Sequence, residues 1–429
     1  MDALLDVPVI LKVLGSLGLM LVVNSFCRHL IVSIGAGTLA LAFWSGHSVS
    51  SAADIAWDRL ASNANLGLLL VIFLVIWLSL QMSESGVMRD LVLAVRGRIS
   101  PRASIAVLPA IIGWLPMPGG AIFSAPLVAD CDADNSLSPL LKTRINYWFR
   151  HVWEYWWPLY PGVLLAIEIT GLQVWQFMVV QLPLSVMSIC VGAWFLLRKV
   201  PRSRGRVGER DTSRPMLPLV APILVAVVVY ALLRIFLPAV GELNRYFPMS
   251  CGVVLGMLIL QLYRPLDGYR WRAILLSDRT LKLALLVAIV RIYGAFVEAR
   301  LPGGSLLVEV MRQELQGWGV PVLLCVMILP FLSGMVSGLV IGFVGASFPI
   351  VFSLLAQDAP LHLVLSTTTL AYGFGYMGMI LSPVHICLIV TNEHFKTRIL
   401  HSIAALVRPA VAVLAGALAY FALLRLVLG

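Results

Sequence analysis

Apolar residues run along this chain in long stretches. A helix that crosses a membrane needs about 20 mostly apolar residues. Full crossings are predicted near 7–26, 29–46, 65–84, 151–170, 173–197, 216–237, 247–263, 282–300, 363–391 and 403–428. Two further apolar stretches, 103–130 and 319–355, are broken by Pro, Gly and Ser. They are too long for one simple helix and awkward for two.

Lys and Arg in short loops set the direction of the crossings. The segment 198–214 carries Arg198, Lys199, Arg202, Arg204, Arg206, Arg210 and Arg214, so it reads as cytoplasmic. The basic stretches 87–102 and 264–282 read the same way, whereas 47–64 and 238–247 are poor in basic residues and read as external. These signs agree only if 103–130 enters and leaves on the cytoplasmic side and 319–355 on the outer side. Both are therefore predicted re-entrant hairpins, and the acidic start of the chain places both termini outside.

An internal repeat supports this topology. Leu108-Pro109 with Gly113 recurs as Leu329-Pro330 with Gly334, Pro126 with Val128 as Pro349 with Val351, and Trp157-Pro158 as Ser382-Pro383. The prolines stand 17 and 32 residues apart in the first set and 19 and 34 apart in the second. The expected fold is an all-α polytopic membrane protein in two inverted halves, each of five crossings and one hairpin. Residues 1–197 and 216–429 form the halves, and the basic cytoplasmic linker 198–215 joins them.

Composition agrees. Of 429 residues, 60% are hydrophobic and 12% charged, with a mean hydropathy of +0.94. A soluble chain is nearer 45–50% apolar and about 25% charged, which excludes an ordinary cytosolic protein. The net charge of +10 is the positive-inside signature, with no soluble basic face for nucleic acid. The six cysteines stand singly, with no CxxC and no Cys/His cluster in the sequence. They indicate neither a zinc site nor a disulfide framework and read as apolar fillers. The acidic N-terminus gives no expectation of a cleavable signal peptide, and no cofactor is expected.

Backbone that leaves helical geometry at membrane depth is costly unless it lines protein or a water-filled cavity. Four such breaks are predicted. The hairpin turns hold Pro118, Gly119 and Gly120, followed by Ser124, and Ser333, Gly334, Ser337 and Gly338. The broken crossings hold Pro158, Tyr160 and Gly162, and, between Gly373 and Pro383, Gly375, Tyr376 and Ser382. A single Pro-Gly break reads most simply as a kink or close packing. Four at repeat-related positions point to the substrate site of a secondary transporter near the membrane midplane. Half-helix N-termini there attract anions and free carbonyls attract cations.

The sequence resembles the ion-transporter superfamily of elevator-type carriers, which includes citrate, dicarboxylate and gluconate transporters. More closely, PMPGGAIFSAPLV (116–128) and GYMGMILSPVHICLIVTNEHF (375–395) are similar to a bacterial and archaeal integral-membrane family known only as a domain of unknown function. The resemblance implies that hairpin tips and broken helices form the site in a mobile transport domain. The other helices would form a scaffold, often a homodimer. Neither hairpin contains the Asn of the sodium-dicarboxylate branch, which disfavours sodium coupling.

Charged residues at depth are the remaining candidates. Arg291 lies inside an apolar crossing, where Arg is expensive and functional by default; it either binds an anionic substrate or pairs with an acid such as Glu298 or Glu154. His151 and Glu154 share a helical face beside Arg150 and either relay a proton or form an interfacial cluster in an aromatic belt. His385 sits within the second break and is the better-placed proton carrier. Thr367, Thr368 and Thr369 either line the same cavity or satisfy helix carbonyls. The expected function is secondary active transport of a small anion across the cytoplasmic membrane, coupled to protons and in contact with membrane lipids. Alternatives are a carrier of a lipid-linked phosphate and an intramembrane enzyme, although no HExxH or GxSxG occurs.

Overall fold

The structure is a computed structural model that describes residues 7–27, 29–116, 120–132, 136–200, 215–356 and 358–429. Most of the expected linker 198–215, and the hairpin residues Pro118 and Gly119, lie outside the described residues. The described residues are all-helical, without strands. The chain runs α1 (Val9–Cys27), α2 (Leu30–Trp44), α3 (Val49–Ala61), α4 (Asn63–Glu84), α5 (Val87–Arg96), α6 (Pro101–Ile112), α7 (Ala121–Asp130), α8 (Pro139–Arg150), α9 (Pro161–Thr170) and α10 (Val174–Phe195). It continues as α11 (Leu217–Phe236), α12 (Pro238–Leu243), α13 (Phe247–Tyr263), α14 (Gly268–Leu275), α15 (Asp278–Glu298), α16 (Leu307–Gly317), α17 (Val322–Ser337), α18 (Val340–Ser353), α19 (Leu361–Ile380), α20 (Ile386–Phe395) and α21 (Ile399–Leu428).

Seven helices among the described residues are long and apolar enough to cross a membrane. They fall in seven of the ten expected crossings. The other three differ: α2 and α13 have only 15 and 17 residues, and the expected crossing 151–170 is split. Its helix begins at Pro139, not at 151, stops at Arg150, and resumes as α9 after ten residues of turn. The second broken crossing is also corrected. α19 runs unbroken through Gly373, Gly375 and Tyr376 to Ile380, and the break is Leu381–His385. Pro383 sets it, because the residue before a proline is pushed out of the helical region.

Helices also occupy stretches expected to be loops. α3 lies in 47–64, α5 in 87–102 and α14 in 264–282. Each is 13 residues or shorter, so a search for apolar windows of crossing length passes over them.

Each expected hairpin stretch holds two helices, α6 and α7 in the first and α17 and α18 in the second. At the first, Arg96, the last residue of α5, reaches Asp130 at the end of α7 at 3.7 Å. At the second, Arg312 in α16 donates to the Ser353 carbonyl at the end of α18 at 3.2 Å, and the chain bends by 115° between α16 and α17. Ser100-Pro101 and Ser138-Pro139 start α6 and α8 alike. The serine hydroxyl accepts a backbone N–H in the first turn while the proline occupies a position that needs no donor.

Burial separates centre from periphery. In α19, 78% of the apolar window is buried, against 28% in α11 and 11% in α21. α17 packs on α19 at backbone distance, because a Cβ on Gly334 would stand 2.1 Å from the Gly375 carbonyl and one on Gly378 2.0 Å from the Phe331 carbonyl. Small residues at such a crossing let helices in lipid gain dispersion contacts that side chains would prevent.

Contacts group the loops by side. Arg264 pairs with Asp90 at 2.5 Å, which joins 264–282 to 87–102, and Arg102 donates at 3.0 Å to the carbonyl of Leu197, the residue before the third basic stretch. On the opposite grouping, Asn63 donates to the Leu243 carbonyl at 2.6 Å and Asn244 to the Asn63 carbonyl at 2.5 Å.

Candidate functional site

The two broken crossings meet at their breaks and brace each other. Breaking a helix frees carbonyls that lipid cannot satisfy, and each crossing supplies hydroxyls to the carbonyls of the other. Tyr147 in α8 donates to the Ile380 carbonyl at 3.1 Å, where α19 ends. In return Tyr376 and Tyr372 in α19 donate to the His151 and Glu154 carbonyls, at 2.5 and 2.6 Å, where α8 ends. Asn146 donates to the Thr391 hydroxyl at 3.0 Å and ties α8 to α20 as well.

The hairpin tips close on the same place. A Cβ on Gly120 would stand 2.2 Å from a guanidinium nitrogen of Arg150, so only glycine admits that side chain at the first tip. Gly338, at the second tip, has φ +62° and would place a Cβ 3.0 Å from both the His385 amide nitrogen and the Ser382 hydroxyl. The left-handed backbone and the contact both favour glycine there.

Five side chains with ionisable groups line this junction in near-complete burial: Arg150 is 2% exposed, His151 1%, Glu154 8%, His385 4% and Cys387 5%. The His151 and His385 rings are 4.8 Å apart edge to face, and the Tyr147 ring lies 4.9 and 5.2 Å from them. His151 Nε2 is 3.9 Å from Glu154 Oε1. His151 Nδ1 is 2.6 Å from the Tyr147 carbonyl. A carbonyl only accepts, so Nδ1 carries the proton and Nε2 presents a bare lone pair.

The expected site residues divide as follows. Gly120, Gly338, Ser382, Tyr376, His151, Glu154 and His385 come together at the junction. Pro158 lies in the turn that separates α8 from α9, and Tyr160 there donates to the Gly113 carbonyl of the first hairpin. Gly162 begins α9 against Val340 of the second hairpin, and Ser124 is fully buried on α7. Gly334 and Gly375 serve helix packing. Ser333 and Ser337 line a separate cavity of about 20 Å³ with Asn24 and Ser33. Thr368 and Thr369 donate to carbonyls of their own helix.

Arg291 is placed elsewhere. Its guanidinium is 2.9 Å from Glu168 Oε1, while Glu168 Oε2 accepts from Tyr246 at 2.7 Å and lies 3.6 Å from Arg245. Of the two readings of Arg291, an ion pair is present, with Glu168 rather than Glu298 or Glu154 as the acid. Glu298 pairs with Arg59 at 2.5 Å.

Sequence reasoning missed Tyr147 and Cys387 and left Arg150 as a mere neighbour. The expectation of no Cys/His cluster is corrected: ligand atoms of His151, His385 and Cys387 all lie within 4.8 Å of one another. Its members come from crossings more than 230 residues apart, so local spacing carries no trace beyond His385-Ile386-Cys387 at the head of α20.

No curated protein matches the chain in sequence. The family model described as "Protein of unknown function (DUF401)" matches residues 10–426, and this polytopic membrane chain belongs to that family.

Proposed function

We propose that the chain is a secondary active transporter that moves a small anionic substrate across the cytoplasmic membrane by alternating access, coupled to protons. The observation that carries the reading is the convergence of two hairpin tips and two helix breaks on one buried group of ionisable side chains. Such backbone is tolerated at membrane depth where it serves a site, and buried ionisable groups there are expensive to keep without a use. Arg150 takes the role first considered for Arg291, because its guanidinium lies against the first hairpin tip and offers the planar fork that grips an oxyanion. Glu154, His151 and His385 supply places for a coupled proton.

Element order supports two related halves. α1 and α2, α3, α4, α5, the α6–α7 hairpin, the α8–α9 crossing and α10 have counterparts in α11 and α13, α14, α15, α16, the α17–α18 hairpin, the α19–α20 crossing and α21. In an elevator arrangement the hairpins, broken crossings and their closing helices would move against a scaffold of the remaining helices, in a homodimer. The reading is of a carrier and not an enzyme.

Uptake by the chain reconstituted in liposomes, across a panel of small organic and inorganic anions with and without an imposed pH gradient, tests this. Gradient-driven accumulation of at least one anion is expected. Absence of flux for every anion under both conditions would refute the reading.

A further inference from the structure

We infer that His151, His385, Cys387 and Glu154 form a tetrahedral site for a divalent ion of the zinc class, bridging the two broken crossings. Two imidazoles, a thiolate and a carboxylate are a donor set for zinc or a neighbouring transition metal and not for magnesium or calcium, which take oxygen ligands.

Three observations converge on it. The first is the grouping: the His and Cys ligand atoms lie within 4.8 Å of one another, and Glu154 Oε1 is 3.9 Å from His151 Nε2. Metal bonds of about 2.0–2.3 Å set tetrahedral ligands roughly 3.3–3.8 Å apart, so the three His and Cys ligands close on an ion with shifts of about an ångström, while Glu154, outside that grouping, must move further to take the fourth position. The second is orientation. The hydrogen bond from His151 Nδ1 to the Tyr147 carbonyl is the outer contact that aims a metal-binding imidazole, and it leaves Nε2 as the ligand. The third is that His385 Nδ1 is buried without a hydrogen-bond partner among the described residues, and that His151, whose Nδ1 is held by the Tyr147 carbonyl, turns its other nitrogen toward the Cys387 thiol. A buried polar atom so placed is costly unless it serves some other purpose.

The ion's two positive charges are matched by the Cys387 thiolate and the Glu154 carboxylate, and the nearby Arg150 leaves the group with one positive charge over. Binding takes the thiol proton off Cys387 and releases it to water, since only the thiolate is a ligand. The ion and a coupled proton would therefore exclude each other at these lone pairs. The site stands on geometry alone and does not require the carrier reading.

Cobalt(II) added to the purified full-length protein in detergent is the probe. The expected spectrum is that of tetrahedral cobalt with a thiolate-to-cobalt charge-transfer band, displaced by zinc. Cys387→Ser should abolish the band, whereas Cys325→Ser and Cys131→Ser should keep it. His385→Ala should weaken cobalt binding at least tenfold, and His385→Cys should retain binding with a stronger charge-transfer band, which misfolding cannot imitate. An octahedral spectrum without the thiolate band in the wild-type protein, or a band that survives Cys387→Ser, would overturn the proposal. The assay involves no transport. A chain that binds cobalt but moves no anion removes the carrier reading alone, and one that moves anions without binding cobalt removes the ion site alone.

Discussion

Arg291 and His385 show why single residues at membrane depth are read differently in sequence and in structure. Both are ionisable groups within apolar stretches, and sequence gives each a functional and a structural reading of similar weight. Partners decide between them. Arg291 is 8% exposed at the side chain and faces Glu168, 6% exposed, at 2.9 Å, so removing it leaves a buried carboxylate short of its main counter-charge. Arg291→Ala should cost about 3–5 kcal/mol of stability, seen as a fall in the thermal midpoint in detergent. Replacing Arg291 and Glu168 together by Met and Leu should recover most of it. A normal midpoint for Arg291→Ala would mean that the pair is not structural. His385, by contrast, stands among His151, Tyr147 and Cys387, and the last of these was invisible because a cysteine two residues along a half-helix looks like any small apolar filler.

At the scale of elements, the long crossings were legible because apolar length is a strong signal: α10 was expected at 173–197 and is observed at Val174–Phe195. Breaks were harder to place. Pro383 falls where α19 gives way, but Pro109, Pro126, Pro330 and Pro349 lie inside helices, and Gly375 and Gly378 serve packing against Phe343 and Phe331 and leave α19 unbroken to Ile380. The bracing hydroxyls give a test. Tyr376→Phe removes one of the two donors to the His151 carbonyl, which keeps the Glu154 amide at 3.1 Å, a loss of about 0.5–1.5 kcal/mol, and amide exchange across 151–160 should accelerate. Unchanged exchange there would show that Tyr376 does not hold the break. The loop that follows the first hairpin gives another. Burial raises the affinity of Asp132 for a proton, but hydrogen bonds from Lys142, Ser136 and Leu137 outweigh it and hold the carboxyl below the usual range. A depressed folded-state pKa stabilises above the unfolded value of about 3.9, and that contribution is lost as pH falls through the folded value. Acid should loosen this loop in the native chain and make little further difference in Asp132→Asn, as read by proteolysis near 132–138.

At the scale of the whole molecule, sequence reached the all-helical membrane class, while the site emerged only when residues far apart in the chain met. The basic stretches predict sidedness. In a background free of native cysteines, Gly205→Cys and Gly241→Cys should label from opposite faces of the membrane, and labelling from one face would refute the inverted topology. The central claim is that the junction of tips and breaks is where substrate binds. The most direct measurement is anion uptake by Gly120→Val, whose side chain must displace the Arg150 guanidinium, compared with Gly303→Val, which has open space around it. With equal membrane insertion, uptake should fall at least tenfold in Gly120→Val and stay at the wild-type level in Gly303→Val. Wild-type uptake by Gly120→Val would contradict the account.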